Sequence, residues 1–183
     1  MKSLAFAGDF LGKEVLIMAV EITKVKYLPE LRQIAELADE IWHECFVGII
    51  SDGQIDYMVE KFQSLNAMTE QIENQDYNYF AVRDDDGLCG YISVKPESDD
   101  RFFLSKLYLH KSRRGRGVAS LMLAKVFDEA RKAGKKRVYL TVNKHNDHAV
   151  AVYRKTGFII SDTAVTDIGN NYVMDDFIME YKL

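Results

Sequence analysis

Arg114-Gly115-Arg116-Gly117-Val118-Ala119 joins an apolar strand pattern, Phe102 to Leu109, directly to an amphipathic helical one, and its reading decides the fold. Downstream, Ala119, Met122, Leu123, Val126, Phe127 and Ala130 recur at helical spacing, which places one apolar face on a helix predicted over 117–133. Arg131 and Lys132 fall in its last turn, and Gly134 ends it. A helix that starts near Gly117 leaves its first N–H groups without intrahelical partners, and the macrodipole adds positive charge there. Gly115 and Gly117 let the backbone approach a ligand closely, while Arg114 and Arg116 bring forked donors. Such a loop suits a pyrophosphate; taken alone, it fits a basic tight turn equally well. A Gly-Lys-Ser/Thr ending and the Gly-x-Gly-x-x-Gly spacing are both missing, which removes the main support for nucleoside triphosphate and dinucleotide folds.

Working outward, strands are expected at 19–26, 77–83, 88–95, 102–110, 137–143, 158–164 and 174–182. Helices are expected at 30–46, beginning after Pro29, and at 54–62, 64–75, 117–133 and 147–156. Asp84-Asp85-Asp86-Gly87 is a strong hairpin turn. The 183 residues suit one compact domain, placed at 18–183 with Met18 able to serve as a start and residues 1–17 as an N-terminal extension. Against 28 Asp and Glu stand 24 Lys and Arg, a net charge of −4 that opposes nucleic acid as a bulk electrostatic partner. On this acidic chain Lys111, Arg113, Arg114 and Arg116 form a local basic cluster, read either as a solvated loop or as a seat for phosphates. Cys45 and Cys89 stand far apart and provide neither a disulfide framework nor zinc-ligand spacing, which suits a reducing cytoplasm. No apolar run reaches the length of a membrane span, and Asp9 interrupts the one stretch that could pass as a signal-peptide core. No metal, membrane or nucleic-acid partner is expected.

The segment from Leu104 to Ala119 resembles the acetyl-CoA signature of the GNAT (GCN5-related) N-acetyltransferases, Gln/Arg-x-x-Gly-x-Gly/Ala, with Arg114, Gly117 and Ala119 at the matching positions. A second motif follows at the family's spacing: a strand Val138 to Asn143, then Asn146, Ala149, Tyr153 and Gly157-Phe158. Both motifs lie within about residues 102–160. The resemblance implies a mixed α/β (α+β) fold, a mostly antiparallel twisted sheet of about seven strands flanked by helices, with strands four and five splayed apart. It also implies an acetyl-CoA-dependent N-acetyltransferase that acts without metal.

By the same resemblance, main-chain groups of Leu107, Tyr108 and Leu109 would pair with the pantetheine arm, one N–H donating to the thioester oxygen. Gly115, Arg116, Gly117, Val118, Ala119 and Ser120, following Arg114, would cradle the pyrophosphate. Asn146 would meet the coenzyme arm, and it also reads as the N-cap of the next helix. Tyr153 would protonate the departing thiolate; by residue type alone it fits a core aromatic, and the motif spacing favours the acid. For the base that accepts the amine proton, His43, Glu44, Glu97 and Asp175 are all conceivable.

The acceptor region is expected from Trp42, Phe46, Tyr57, Met58, Tyr172, Met174 and Asp175. Aromatics with carboxylates suit a cationic amine: a polyamine, an amino sugar or a peptide N-terminus. The helical insert at 50–75 and the ending Tyr172 to Glu180 resemble the bacterial PaiA-like polyamine acetyltransferases. Two other classes remain: a non-catalytic acyl-CoA-binding sensor or interaction module, which loss of Tyr153 or of the splay would favour, and a nucleic-acid binder, opposed by the acidic balance. The resemblance also implies pairing through C-terminal strands into a homodimer, with Phe177 to Met179 at an edge or equally inside the sheet.

Overall fold

The structure, a computed structural model, describes residues 19–183. The extension at 1–17 and the start at Met18 lie outside the described residues. Seven strands form one sheet, β1 (Glu21–Lys24), β2 (Asn78–Asp84), β3 (Gly87–Pro96), β4 (Arg101–Leu109), β5 (Arg137–Asn143), β6 (Ile159–Gly169) and β7 (Tyr172–Lys182), in the order β1-β2-β3-β4-β5-β7-β6. Every neighbouring pair is antiparallel except β4 and β5.

That parallel pair makes the cleft. β4 and β5 are in register only at Arg101, Phe102 and Phe103, opposite Arg137, Val138 and Tyr139. Just beyond, β4 carries one extra residue against β3: Ser93 faces Lys106 and Val94 faces Leu104, so Ser105 is a bulge. A bulge bends its strand and strengthens the local twist. From Leu104 onward β4 stays on β3 while β5 stays on β7, and the sheet opens between them.

Helices α1 (Leu28–Cys45), α2 (Asp52–Met58) and α3 (Leu65–Asn74), with a π-helical turn at Val59–Gln63, fill the connection from β1 to β2. Helix α1 begins at Leu28, with Pro29 inside its first turn and not ahead of it as expected. Proline is tolerated there because the N–H it lacks would have had no intrahelical partner. Ser51 and Ser64 cap α2 and α3 through their hydroxyls, each accepting from a backbone N–H at 3.3 Å. Helix α1 buries Leu31, Ile34, Ala38 and Ile41 with Met68 of α3 against Tyr79, Ala81 and Tyr91 of the sheet.

On the other sheet face, helix α4 (Val118–Lys132) packs Val118, Met122, Leu123, Val126 and Ala130, joined by Val150 of α5 (Asp147–Lys155). The α1 face carries a polar island. Lys106 donates to Gln71 Oε1 at 3.0 Å, Tyr79 donates to the same oxygen at 2.5 Å, and burial pulls the Lys106 ammonium down to about 7.

The last hairpin is longer than expected. Asn170 and Asn171 adopt φ of 54° and 60°, the left-handed pair that a tight type I′ turn requires, so β6 and β7 run to within two residues of each other. β7 lies between β5 and β6, which places Phe177 to Met179 inside the sheet, the second of the two positions open to them, and leaves the edge to β6.

Candidate functional site

A cleft of about 1050 Å³ opens where β4 and β5 part. Leu104, Leu107, Tyr108 and Leu109 of β4 form one wall and Leu140, Thr141, Val142 and Asn143 of β5 the other. The His110 N–H bonds back to Cys89 O on β3, so by the two-residue period of a strand Tyr108 shares that side. Leu107 and Leu109 then turn their main-chain groups toward the gap, and Arg114 Nε reaches Leu109 O there at 3.1 Å.

The floor of the phosphate end is the stretch quoted at the outset. Gly115 and Gly117 hold φ of 74° and 81°, and a Cβ added to either would meet nothing within 4 Å. Glycine is used here for its left-handed conformation and for the open space a ligand needs. Helix α4 has no side-chain cap, and its first intrahelical bonds run from Ser120 and Leu121 to Gly117 O. The N–H groups of Val118 and Ala119 are left at the helix end, where an anion is favoured. Gly115, Gly117, Ala119 and Ser120 line the cleft, as do Arg114 and Asn146. Val118 turns into the core, 2% exposed, and Arg116 is outside the lining. Asn146 caps α5 by accepting from Ala149 N–H at 3.1 Å.

The basic cluster is largely spent on the protein itself. Arg113 pairs with Asp84 and Asp86, Lys111 with Glu44 at 3.4 Å, and Arg114 with Glu44 at 3.3 Å and Cys45 Sγ at 3.0 Å. Arg114 therefore ties the loop to α1 and β4, and the glycine backbone and the helix end supply the open donors. Sequence spacing could not show this, because Glu44, Cys45, Asp84 and Asp86 are distant in the chain.

Tyr153 enters the cleft from α5, its ring edge-on to Phe158 at 5.5 Å. Burial pushes its phenol up to about 12, so the hydroxyl is neutral and a donor at physiological pH. Tyr108 stacks on Tyr91 at 5.3 Å and meets Trp42 at 5.7 Å. Burial raises its phenol well above the usual value, and Tyr153, Cys45 and Asp176 add to that rise as close neighbours.

Of the four conceivable bases, only Glu44 lines the cleft, and it is held by Arg114 and Lys111. His43 faces outward between Asp39 and Asp56, Glu97 accepts from the Tyr139 hydroxyl at 2.9 Å, and Asp175 pairs with Lys144. Two further carboxyls line the cleft, Asp147 at the exposed start of α5 and Asp176 of β7, and Asp176 is the buried one, only 4% exposed, with Oδ1 lacking a hydrogen-bond partner among the described residues. Burial, reinforced by Asp175 and opposed by Lys144, pushes Asp176 up to about 6. The signal for it was present: Met174 lines the cleft, and strand alternation puts residue 176 beside it and residue 175 on the opposite face.

Trp42, Phe46, Met58 and Met174 of the expected acceptor region line the cleft, together with Ile50 and Gln54. Trp42 and Phe46 stack at 4.4 Å. Tyr57 and Tyr172 stand behind them as supports, with Tyr57 donating to Ile168 O at 2.6 Å and the two rings 5.5 Å apart.

Residues 32–158 match the acetyltransferase (GNAT) family. An uncharacterized N-acetyltransferase of Mycobacterium tuberculosis is 38% identical over 97 residues, 51% of this chain and 62% of the relative, so the match spans less than two thirds of that protein. A spermidine N(1)-acetyltransferase of Thermoplasma acidophilum is 27% identical over 173 residues, covering 90% of this chain and 98% of its own. The crystal structure of PaiA N-acetyltransferase from Thermoplasma acidophilum in complex with coenzyme A superposes with a TM-score of 0.76 at 26% identity, over 91% of this chain and 100% of that one.

Proposed function

The chain belongs to the GNAT acetyltransferase family, and from that membership we propose that it moves the acetyl group of acetyl-CoA to a primary amine of a small cationic molecule or peptide by direct attack on the thioester. The observation that carries the reading is the meeting, in one cleft, of the glycine loop at the end of α4 with the Tyr153 hydroxyl between the splayed strands. The loop and the α4 N–H groups fit a pyrophosphate, and the apolar strand walls fit a thin pantetheine arm. Main-chain N–H groups of Leu107 or Leu109 polarise the thioester carbonyl, where developing negative charge is best stabilised by fixed donors.

Tyr153 gives its proton to the departing thiolate, a role open to it because its phenol stays protonated up to about pH 12. Trp42 and Phe46 offer aromatic faces to a cationic acceptor at the α1 end of the cleft. Among cationic amines a polyamine is favoured, because the Thermoplasma acidophilum relative that spans nearly the whole chain is named for spermidine.

The test is release of coenzyme A thiol from acetyl-CoA against polyamines, amino sugars, aminoglycosides and peptides, with wild type compared to Tyr153→Phe. Turnover on one amine class that falls at least about tenfold in the variant supports the enzyme and its acid. Silence across the panel with acetyl-CoA still bound refutes acetyl transfer to these amines and favours an acyl-CoA-binding sensor.

A further inference from the structure

Three titratable side chains meet at the mouth of the splay: Tyr108 of β4, Tyr153 of α5 and Asp176 of β7. Asp176 pairs in register with Asn143, the last residue of β5, and therefore stands at the point where the β5 wall ends and the acceptor pocket of Trp42, Phe46 and Met174 begins. We propose that Asp176 is the catalytic base of this chain, its carboxylate taking the proton of the acceptor amine as nitrogen bonds to the thioester carbon. This rests on the acetyl-transfer reading above.

Geometry supports the assignment first. Asp176 is a carboxyl in the cleft that carries no ion pair and whose Oδ1 has no hydrogen-bond partner among the described residues. Glu44, nearer the loop, is held between two cations. Glu44 Oε2 also has no hydrogen-bond partner among the described residues but lies beside Lys111, whereas Asp176 Oδ1 is open to a donor in the cleft such as an amine N–H. Asp175 on its own strand and Lys144 after β5 act on Asp176, and Tyr108 of β4 is its electrostatic neighbour. Glu44 and Cys45 of α1, Arg114 of the loop, His145 before α5, and Asp147, His148, Tyr153 and Lys155 of α5 line the same cleft. Lys144 is itself paired with Asp175, which leaves the burial of Asp176 the dominant influence on its proton. A carboxyl that titrates near pH 6 is matched to receiving a proton at neutral pH.

The proton count closes. The N–C bond forms, the C–S bond breaks with its electron pair leaving on sulfur, Tyr153 protonates that sulfur, and the amine proton rests on Asp176. Return of this proton to the Tyr153 phenolate through cleft solvent restores both groups, and the net products are one amide and one free thiol.

The test compares wild type with Asp176→Asn and Asp176→Glu for thiol release over pH 5–9, with coenzyme A affinity by calorimetry as the control for folding. The expected result is that Asp176→Asn loses on the order of 10²–10⁴ in kcat, keeps its affinity for coenzyme A, and no longer shows the acidic limb that wild type shows near pH 6. Asp176→Glu should recover part of the rate. Wild-type turnover with an unchanged limb and rate in Asp176→Asn overturns the base and leaves acetyl transfer standing; no wild-type turnover on any amine overturns both. A readout free of turnover is the carboxyl ¹³C resonance that disappears in Asp176→Asn. A midpoint near 6 supports the assignment, and an ordinary carboxylate midpoint near 4 refutes it.

Discussion

Replacing Asp176 with Asn should make the protein more stable, and increasingly so as pH rises. The carboxyl is 4% exposed and titrates at about 6 where an ordinary aspartate titrates at 3.8, because burial disfavours its charged form. The native state therefore holds this proton when the unfolded chain has already released it. Between pH 4 and pH 6 the folded form binds more protons than the unfolded one, and stability falls with rising pH across that window. Above it the full difference applies, about 3 kcal/mol at 1.36 kcal/mol per tenfold, reduced to about 1–2 kcal/mol once solvent in the open cleft screens the charge.

Asparagine has nearly the same shape and no charge, so its own contribution is the same at every pH. Thermal unfolding of both proteins at pH 4.5 and 7.5 separates the two effects. About two thirds of the effect develops between those conditions, so the melting temperature of Asp176→Asn relative to wild type should rise by about 1–5 °C, at about 2–4 °C per kcal/mol for a chain of this size. A difference that is equal at both pH values would refute the buried, charge-disfavouring environment ascribed to Asp176.

Arg114→Ala removes the contacts to Leu109 O, Glu44 and Cys45 that tie the glycine loop to β4 and α1. Coenzyme A should bind about tenfold or more weaker by calorimetry, about 1.4 kcal/mol, and unchanged affinity would mean that the loop holds its form without the arginine. Gly90→Ala puts a methyl 2.7 Å from Tyr108 O and 3.2 Å from Leu109 Cδ1, forcing β3 from β4 beside the cleft wall. It should cost about 1–3 kcal/mol in denaturant unfolding and slow thiol release, and wild-type values for both would contradict the close approach.

Much of the fold could be read from local spacing. The apolar positions of α4, the helix stop at Gly134 and the turn at Asp84 to Gly87 each involve residues within one or two turns of chain, where periodicity and turn chemistry act directly. Pro29 is ambiguous for an equally local reason: a proline can sit inside the first helical turn as well as before it. The Asn170-Asn171 turn is a further local signal, and it accounts for the longer β6–β7 hairpin.

By itself the sequence determined the glycine loop, the helix behind it and the Asn146 to Phe158 pattern, because each is a run of neighbours whose spacing already states its geometry. Only the tertiary structure decided how far β4 and β5 part, since that depends on the Ser105 bulge and on which strands pair beyond Phe103. The same holds for the charges. Arg113 and Arg114 are committed to Asp84, Asp86 and Glu44 across the fold, and of two adjacent aspartates one is paired with Lys144 while the other is buried in the cleft. Charge and burial are properties of what surrounds a side chain, and those surroundings come from segments that the chain brings together only on folding.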